Sequence, residues 1–294
     1  MMVSKGFENK NRQTKNSRKV ATVGALALLL ASSAPSFAHT LCEARMPWMK
    51  QADSMTLQSE DVQKLGNYEL ALVIDKSASM TYRLNQRNVV EKPDNVEGFP
   101  SVINPADSIS RWDWCKNQAA NLANQIKKVL PNGISLSLFS NRYMAYNNVD
   151  AMRIEYIFSE TEPTGGTHIS QVLSHHFDEY FASRDAGKTT KPLLLAVITD
   201  GCPEDGEETR LAIINATKKM QRADEIKVAI LQVGNDRRAP RLLGELDNDL
   251  VAQHAKYDIV EIHPFTEMKE NGLAKTLASV VANDTVATIS SNHL

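Results

Sequence analysis

The sequence predicts an α/β protein built on a doubly wound, mainly parallel six-stranded sheet with one antiparallel edge strand. Three observations lead there. From Tyr68 onward, short apolar, β-rich runs alternate with amphipathic stretches, which implies right-handed crossovers and a sheet covered on both faces. Two of the runs, residues 68–74 and 193–199, are almost continuously apolar, and each is followed at once by an aspartate, Asp75 and Asp200. A single pair of runs has no helix between them, and such a pair makes a hairpin.

Taken in order, residues 39–66 carry no strand pattern, although Asp53 to Leu65 fits a short helix that packs beneath the sheet or acts as a spacer. Strands are expected over 68–74, 134–140, 152–158, 193–199, 226–233 and 258–263. Helices are expected over about 111–129, 168–183, 207–222, 240–255 and 270–282. Runs 134–140 and 152–158 are joined by Asn141–Asp150 alone. The second of them, Met-Arg-Ile-Glu-Tyr-Ile-Phe, alternates apolar and polar as a half-exposed edge strand should. Glu204, Asp205, Glu207 and Glu208 crowd the start of the third helix, where the helix dipole stabilises carboxylates and a second cation could also sit. Trp112 and Trp114 flank Asp113 at the first helix, one expected to pack and one to be exposed.

The 294 residues suit one or two domains, and with 42% hydrophobic and 23% charged residues the chain has ordinary globular material for a core. Residues 1–38 read as a secretory signal. Lys10, Arg12, Lys15, Arg18 and Lys19 form a basic leader, Val20–Ala31 is an apolar run, and Ser36-Phe37-Ala38 offers small residues for cleavage after Ala38. The rival reading is an uncleaved anchor, for which Val20–Ala38 as a whole nearly reaches spanning length. Removing residues 1–38 takes away six basic residues and one acidic one, leaving 27 basic against 34 acidic groups. An acidic domain without a basic patch argues against nucleic acid and anionic lipid as partners, and export points to a periplasmic or secreted location.

Three cysteines, Cys42, Cys115 and Cys202, fit no zinc spacing, and at most one internal bridge can form.

The chemistry-bearing motif follows the first strand. In Asp75-Lys76-Ser77-Ala78-Ser79, alternate residues of extended backbone can aim one carboxylate and two hydroxyls at one point. That is a hard, oxygen-only donor set, suited to Mg²⁺ or Mn²⁺ rather than zinc. In a polar loop the same residues also serve as helix caps. Thr164-Gly165-Gly166-Thr167-His168 opens a helical stretch, and Thr199-Asp200-Gly201 ends the second apolar strand. In doubly wound sheets ligands bind outside the carboxyl ends of strands, where the strand order reverses.

These three segments, in this order and at these separations, resemble the von Willebrand factor A (vWA) domain and its metal-ion-dependent adhesion site, over roughly residues 67–284. Carried over residue by residue, the metal-site positions fall on Asp75, Ser77, Ser79, Thr167 and Asp200. The resemblance implies a Rossmann-like vWA domain over 67–290, preceded by a signal peptide (1–38) and an N-terminal segment (39–66). It implies that the strands ending in Asp75 and Asp200 are neighbours, that Ser77, Ser79 and Thr167 ligate directly, and that at least one aspartate acts through water. In this fold Cys115 and Cys202 both belong near the metal face, so a bridge between them and two buried thiols are equal alternatives. Where simpler members have a short link, this chain has an insertion, Thr81–Ser110, that is either a specificity loop or an irregular excursion.

The function this implies is an exported, non-enzymatic adhesion-type module that binds a protein partner offering a carboxylate to a bound Mg²⁺ or Mn²⁺. A metal-dependent hydrolase is the rival from another class, with His168 the single candidate base and no nucleophile elbow in sight. A structural envelope or assembly factor is the third. His175 and His176 sit at adjacent helix positions that point apart, and are expected to be surface or core residues rather than ligands.

Overall fold

The computed structural model describes residues 52–84, 109–188, 191–234, 239–248 and 250–291. The expected leader and its cleavage site, Cys42 and most of the 81–110 insertion lie outside the described residues. No helix among the described residues is long and apolar enough to cross a membrane.

The strands are β1 (Glu69–Asp75), β2 (Arg83–Leu84), β3 (Ile109–Ser110), β4 (Ile134–Phe139), β5 (Tyr143–Val149), β6 (Leu193–Thr199), β7 (Ile226–Gln232) and β8 (Val260–His263). Six of them build one sheet in the order β5-β4-β1-β6-β7-β8. Neighbours are parallel except for β4 and β5, which run antiparallel. This is the expected mainly parallel sheet with one antiparallel edge. Strands β2 and β3 form a separate two-stranded antiparallel ribbon at the base of the insertion.

Period-two alternation divides the core between the faces of the sheet. In β1, Leu70, Leu72 and Ile74 enter one apolar cluster and Ala71 and Val73 the other; β6 repeats this with Leu194, Ala196 and Ile198 against Leu193, Leu195 and Val197. Helices Ser59–Gly66, Arg111–Ile126 and Ala151–Ser159 and the C-terminal helix cover the first face, and Ser170–Asp185 and Gly206–Lys219 the second. Strands buried on both sides read as unbroken apolar runs, which is why β1 and β6 stand out in the sequence. The C-terminal helix, Phe265–Ser291, is broken at Gly272, whose φ of 71° is left-handed.

The segment before the sheet is tied to the first face. Gln118 Nε2 donates to Asp53 Oδ1 at 2.9 Å, Leu57 N donates to Gln125 Oε1 at 2.6 Å, and Leu57 and Leu65 join the core cluster.

The structure corrects the edge strand. Residues 152–158 are not a strand but lie inside the helix Ala151–Ser159, and the edge strand is Tyr143–Val149, within the stretch read as the hairpin connection. The heptapeptide satisfies two periods at once. Its buried members are Ile154, Ile157 and Phe158, a helical spacing, while Met152 and Tyr156 are exposed. Asp150 decides the matter as N-cap, its carboxylate accepting from Arg153 N at 2.8 Å.

One side-chain expectation is revised and one open alternative is decided. Both tryptophans pack: Trp112 lies 4.2 Å from Phe158 and Trp114 meets Phe265 edge-on at 5.3 Å, centroid to centroid. Cys115 and Cys202 are not joined to each other. Cys115 is buried in the cluster on one face of the sheet and Cys202 packs against the cluster on the other, so the sheet separates them. Burial pushes the Cys115 thiol well above its ordinary value, which leaves it unreactive.

Candidate metal site

Strand β1 lies between β4 and β6, so the strand order reverses at the β1–β6 crevice. Asp75 is the last residue of β1, and Asp200 directly follows β6. Their strands are neighbours, paired from Glu69 with Leu193 through Ile74 with Ile198. Fold and motif therefore meet at one place.

The local chain explains the turn. Asp75 Oδ1 accepts from Ser77 N at 2.7 Å, closing an Asx-type turn that bends the backbone as it leaves the strand. A 3₁₀ turn, Ala78–Thr81, follows, with Met80 N donating to Ser77 O at 3.0 Å. Met80 is fully buried and anchors this loop in the core.

The side-chain oxygens then form a chain. Ser77 Oγ lies 3.1 Å from Ser79 Oγ, and Ser79 Oγ donates to Asp200 Oδ1 at 2.8 Å. Asp75 Oδ2 accepts from Thr199 Oγ1 at 2.8 Å. Asp75, Ser77 and Asp200 are nearly inaccessible. Burial, reinforced by the nearby Asp200, pushes Asp75 up to about 7, against the hydrogen bonds from Ser77 and Thr199. Four of the five expected residues are thus brought together.

Thr167 lies on a loop tied to the cluster's loop through backbone rather than through its side chain. It precedes helix Ser170–Asp185 by three residues rather than opening it. The 164–168 loop is laced to its neighbours through backbone: Thr164 N donates to Lys76 O at 2.6 Å, Ala78 N to Gly165 O at 3.0 Å, and His168 N to Ser140 O at 3.1 Å. Gly166 N donates to Asn141 Oδ1 at 2.6 Å. The third loop joins through Glu204, whose N–H donates to Thr167 O at 2.8 Å. Thr167 is buried, and among the described residues its hydroxyl makes no hydrogen bond to the other four.

The carboxylates around the start of helix Gly206–Lys219 have structural partners. Asp205 accepts from Ile169 N and Ser170 N, both at 2.9 Å, and so caps the preceding helix. Although burial acts the other way, hydrogen bonds from Ser170 and Ile169 hold Asp205 below the ordinary carboxylate value. Glu207 is paired with Arg210. His168 is partly exposed, its Nε2 3.9 Å from Glu204 Oε2. His176 is buried with Nε2 3.0 Å from Ser137 Oγ, and His175 faces Glu179 at 3.4 Å. The adjacent pair has separate polar partners, but the two rings lie 5.3 Å apart, centroid to centroid, rather than pointing fully apart.

Arg111 is the residue that sequence reasoning missed. First in its helix, it is almost wholly buried, and its Nη1 is paired with Asp200 Oδ2. Its Nε is buried without a hydrogen-bond partner, and its guanidinium lies 5.5 Å from the Tyr82 ring centre. A signal was present: a cation at a helix N-terminus opposes the dipole and implies an acidic partner. Thr199 and Asn141 were missed as well, each acting through a contact far along the chain.

An octahedral ion with oxygen bonds of about 2.1 Å needs neighbouring ligands roughly 3.0 Å apart. The 3.1 Å and 2.8 Å hydrogen-bonded separations along Ser77, Ser79 and Asp200 are compatible with that edge, and oxygen donors of this kind suit Mg²⁺ or Mn²⁺. No group of three or more His, Cys, Asp or Glu side chains is placed to hold a metal among the described residues. A set of two carboxylates and three hydroxyls is a different kind of site from such a cluster.

No family model matches the chain. Among solved structures it is similar to a point mutant of the PilB minor pilin from Streptococcus sanguinis, at 12% identity and TM-score 0.49, over 73% of this chain and 60% of the pilin chain. It is also similar to manganese-loaded TRAP protein from Plasmodium vivax, at 14% identity and TM-score 0.37, over 69% of this chain and 70% of that one. A third is proximal thread matrix protein 1 from the mussel byssus, at 16% identity and TM-score 0.42, over 72% and 46%. The chain thus spans 60% of the length of the minor pilin.

Proposed function

We propose that this protein is an exported vWA-type binding module that holds Mg²⁺ or Mn²⁺ through Asp75, Ser77, Ser79, Thr167 and Asp200 and captures a protein partner by its carboxylate. The observation that carries the reading is the run of oxygens from Ser77 through Ser79 to Asp200, at octahedral-edge spacing, in the β1–β6 crevice.

When bound, the ion would supply a coordination position where a partner carboxylate displaces water. The chain's own residues prepare that position. The Ser77 N–H and Thr199 hydroxyl fix the Asp75 carboxylate, Ser79 orients Asp200, and the backbone bonds between loops 76–78, 164–168 and 204–205 hold the rim. Two carboxylates only just balance a divalent ion, and Arg111 already pairs with one of them, so a bound ion would keep net positive charge, which favours an acidic partner.

Calorimetric titration of Mn²⁺ into the protein and into Asp75→Asn tests the site. Saturable binding by the parent and none by the folded variant is expected; equal affinity would remove the assignment. EDTA-reversible capture of proteins from the native envelope fraction, lost in the same variant, tests the partner role. A metal-independent structural role is the second reading, and the buried Arg111–Asp200 pair favours it because one carboxylate already has a cation.

A further inference from the structure

We infer that Arg111 is a built-in cation of the site, one that satisfies Asp200 in the ion's absence and so sets how tightly a divalent ion is held. This rests on the metal-site reading above.

The pair is a constructed feature. The Arg111 and Asp200 side chains are 4% and 1% exposed, so neither charge is repaid by water. The two oxygens of Asp200 have separate tasks: Oδ2 takes Arg111 Nη1, and Oδ1 takes the Ser79 hydroxyl. The oxygen that faces the serines is thus left to the ion, and the one behind it is held by the arginine. Room for the guanidinium is provided by Gly234. A Cβ there would stand 2.7 Å from both Arg111 Nε and Nη2, and its φ of +86° suits glycine. The Tyr82 ring lies beside the same guanidinium.

The consequence follows from charge count. Asp75 and Asp200 together offer two negative charges, and Arg111 cancels one of them. Oxygen-ligand sites are tuned through the charge of their ligands, so the arginine weakens the hold on a divalent ion. It also spares the fold from depending on that ion, because without Arg111 the buried Asp200 carboxylate would lack a cation. Arg111 is therefore a positioning residue for Asp200 and an affinity-setting residue for the ion. The site it makes can lose its ion and stay folded.

The experiment compares the parent, Arg111→Met and Arg111→Lys by Mn²⁺ calorimetry and by thermal unfolding with and without Mn²⁺. Arg111→Met should unfold at lower temperature than the parent in EDTA, recover with Mn²⁺, and bind Mn²⁺ about tenfold more tightly or better. Arg111→Lys keeps the charge and should stay close to the parent. If Arg111→Met folds only with Mn²⁺ present, the inference is supported in its strongest form; if saturating Mn²⁺ cannot fold it, the inference is overturned. A folded Arg111→Met with the parent's affinity, or weaker, sinks the inference and leaves the metal site standing. Absence of binding in all three proteins removes the metal reading itself, and the inference with it.

Discussion

Thr199 and Asp75 end neighbouring parallel strands, and the Thr199 hydroxyl donates to Asp75 Oδ2 at 2.8 Å within the core. The bond locks the carboxylate from the side opposite the Asp75 Oδ1–Ser77 N contact. Each oxygen thereby has one partner that fixes it and keeps a second lone pair for an ion or a water.

Thr199→Val keeps the shape of the side chain and removes the donor. Because the acceptor is a buried carboxylate, the loss should be about 2 kcal/mol of stability at pH 8. Urea unfolding measures it. Mn²⁺ affinity should fall in the same variant, since Asp75 loses its orientation; a stability loss with unchanged affinity would make Thr199 structural alone.

The strand ends were legible because a parallel strand buried on both faces is an apolar run, and Asp75 and Asp200 break two such runs at their carboxyl ends. Ser77 and Ser79 could be read only once their spacing was joined to the 164–168 and 199–201 segments. Arg111 could not, because its meaning lies in Asp200, which is 89 residues away. The edge strand was misread for a local reason. Tyr143–Val149 has exposed residues on both faces and shows no apolar period, whereas the following helix mimics alternation through Met152, Ile154 and Tyr156. The 164–168 segment reads in the sequence as opening a helix, whereas it precedes helix Ser170–Asp185, at whose start Asp205 accepts from Ile169 N and Ser170 N.

Gly234→Ala should be destabilising by about 2 kcal/mol, combining a left-handed φ with a Cβ pressed against the guanidinium. The two costs can be separated. In an Arg111→Met background the guanidinium is gone, so the same substitution should cost less, and the double-mutant cycle should be clearly non-additive. Additivity would show that Gly234 matters for its backbone alone.

His176 gives a pH dependence of defined sign. Burial, with His175 adding to it, lowers it from 6.5 to about 4, so it is neutral when folded at mildly acidic pH. Above 6.5 both folded and unfolded chains hold it neutral and it costs nothing. As pH falls from 6.5 towards 4, the unfolded chain takes up the proton first and stability is lost, to a limit of about 3 kcal/mol. Urea unfolding at pH 7.5 and pH 5 should show a larger loss in the parent than in His176→Gln. An equal loss in both would place the acid sensitivity elsewhere.

The insertion can be tested from its ends. Leu84 and Ile109 are directly paired in the β2–β3 ribbon, as are Arg83 and Ser110, so the two ends already meet in hairpin geometry. Arg111 N donates to Tyr82 O at 2.9 Å and carries the ribbon into the site. An Asn-Gly turn in place of residues 85–108 suits such an antiparallel pair, and a shorter loop loses less entropy on closure. The shortened protein should fold with stability equal to the parent's or slightly higher, and should bind Mn²⁺ equally well. Capture of the envelope partner should weaken, because the segment springs from the loop that carries Ser77 and Ser79. Unfolding of the shortened protein would mean that residues 85–108 contribute to the core. Full capture would instead place specificity on the rim formed by Thr164–His168 and Cys202–Asp205, the two loops that the Glu204 N to Thr167 O bond ties together.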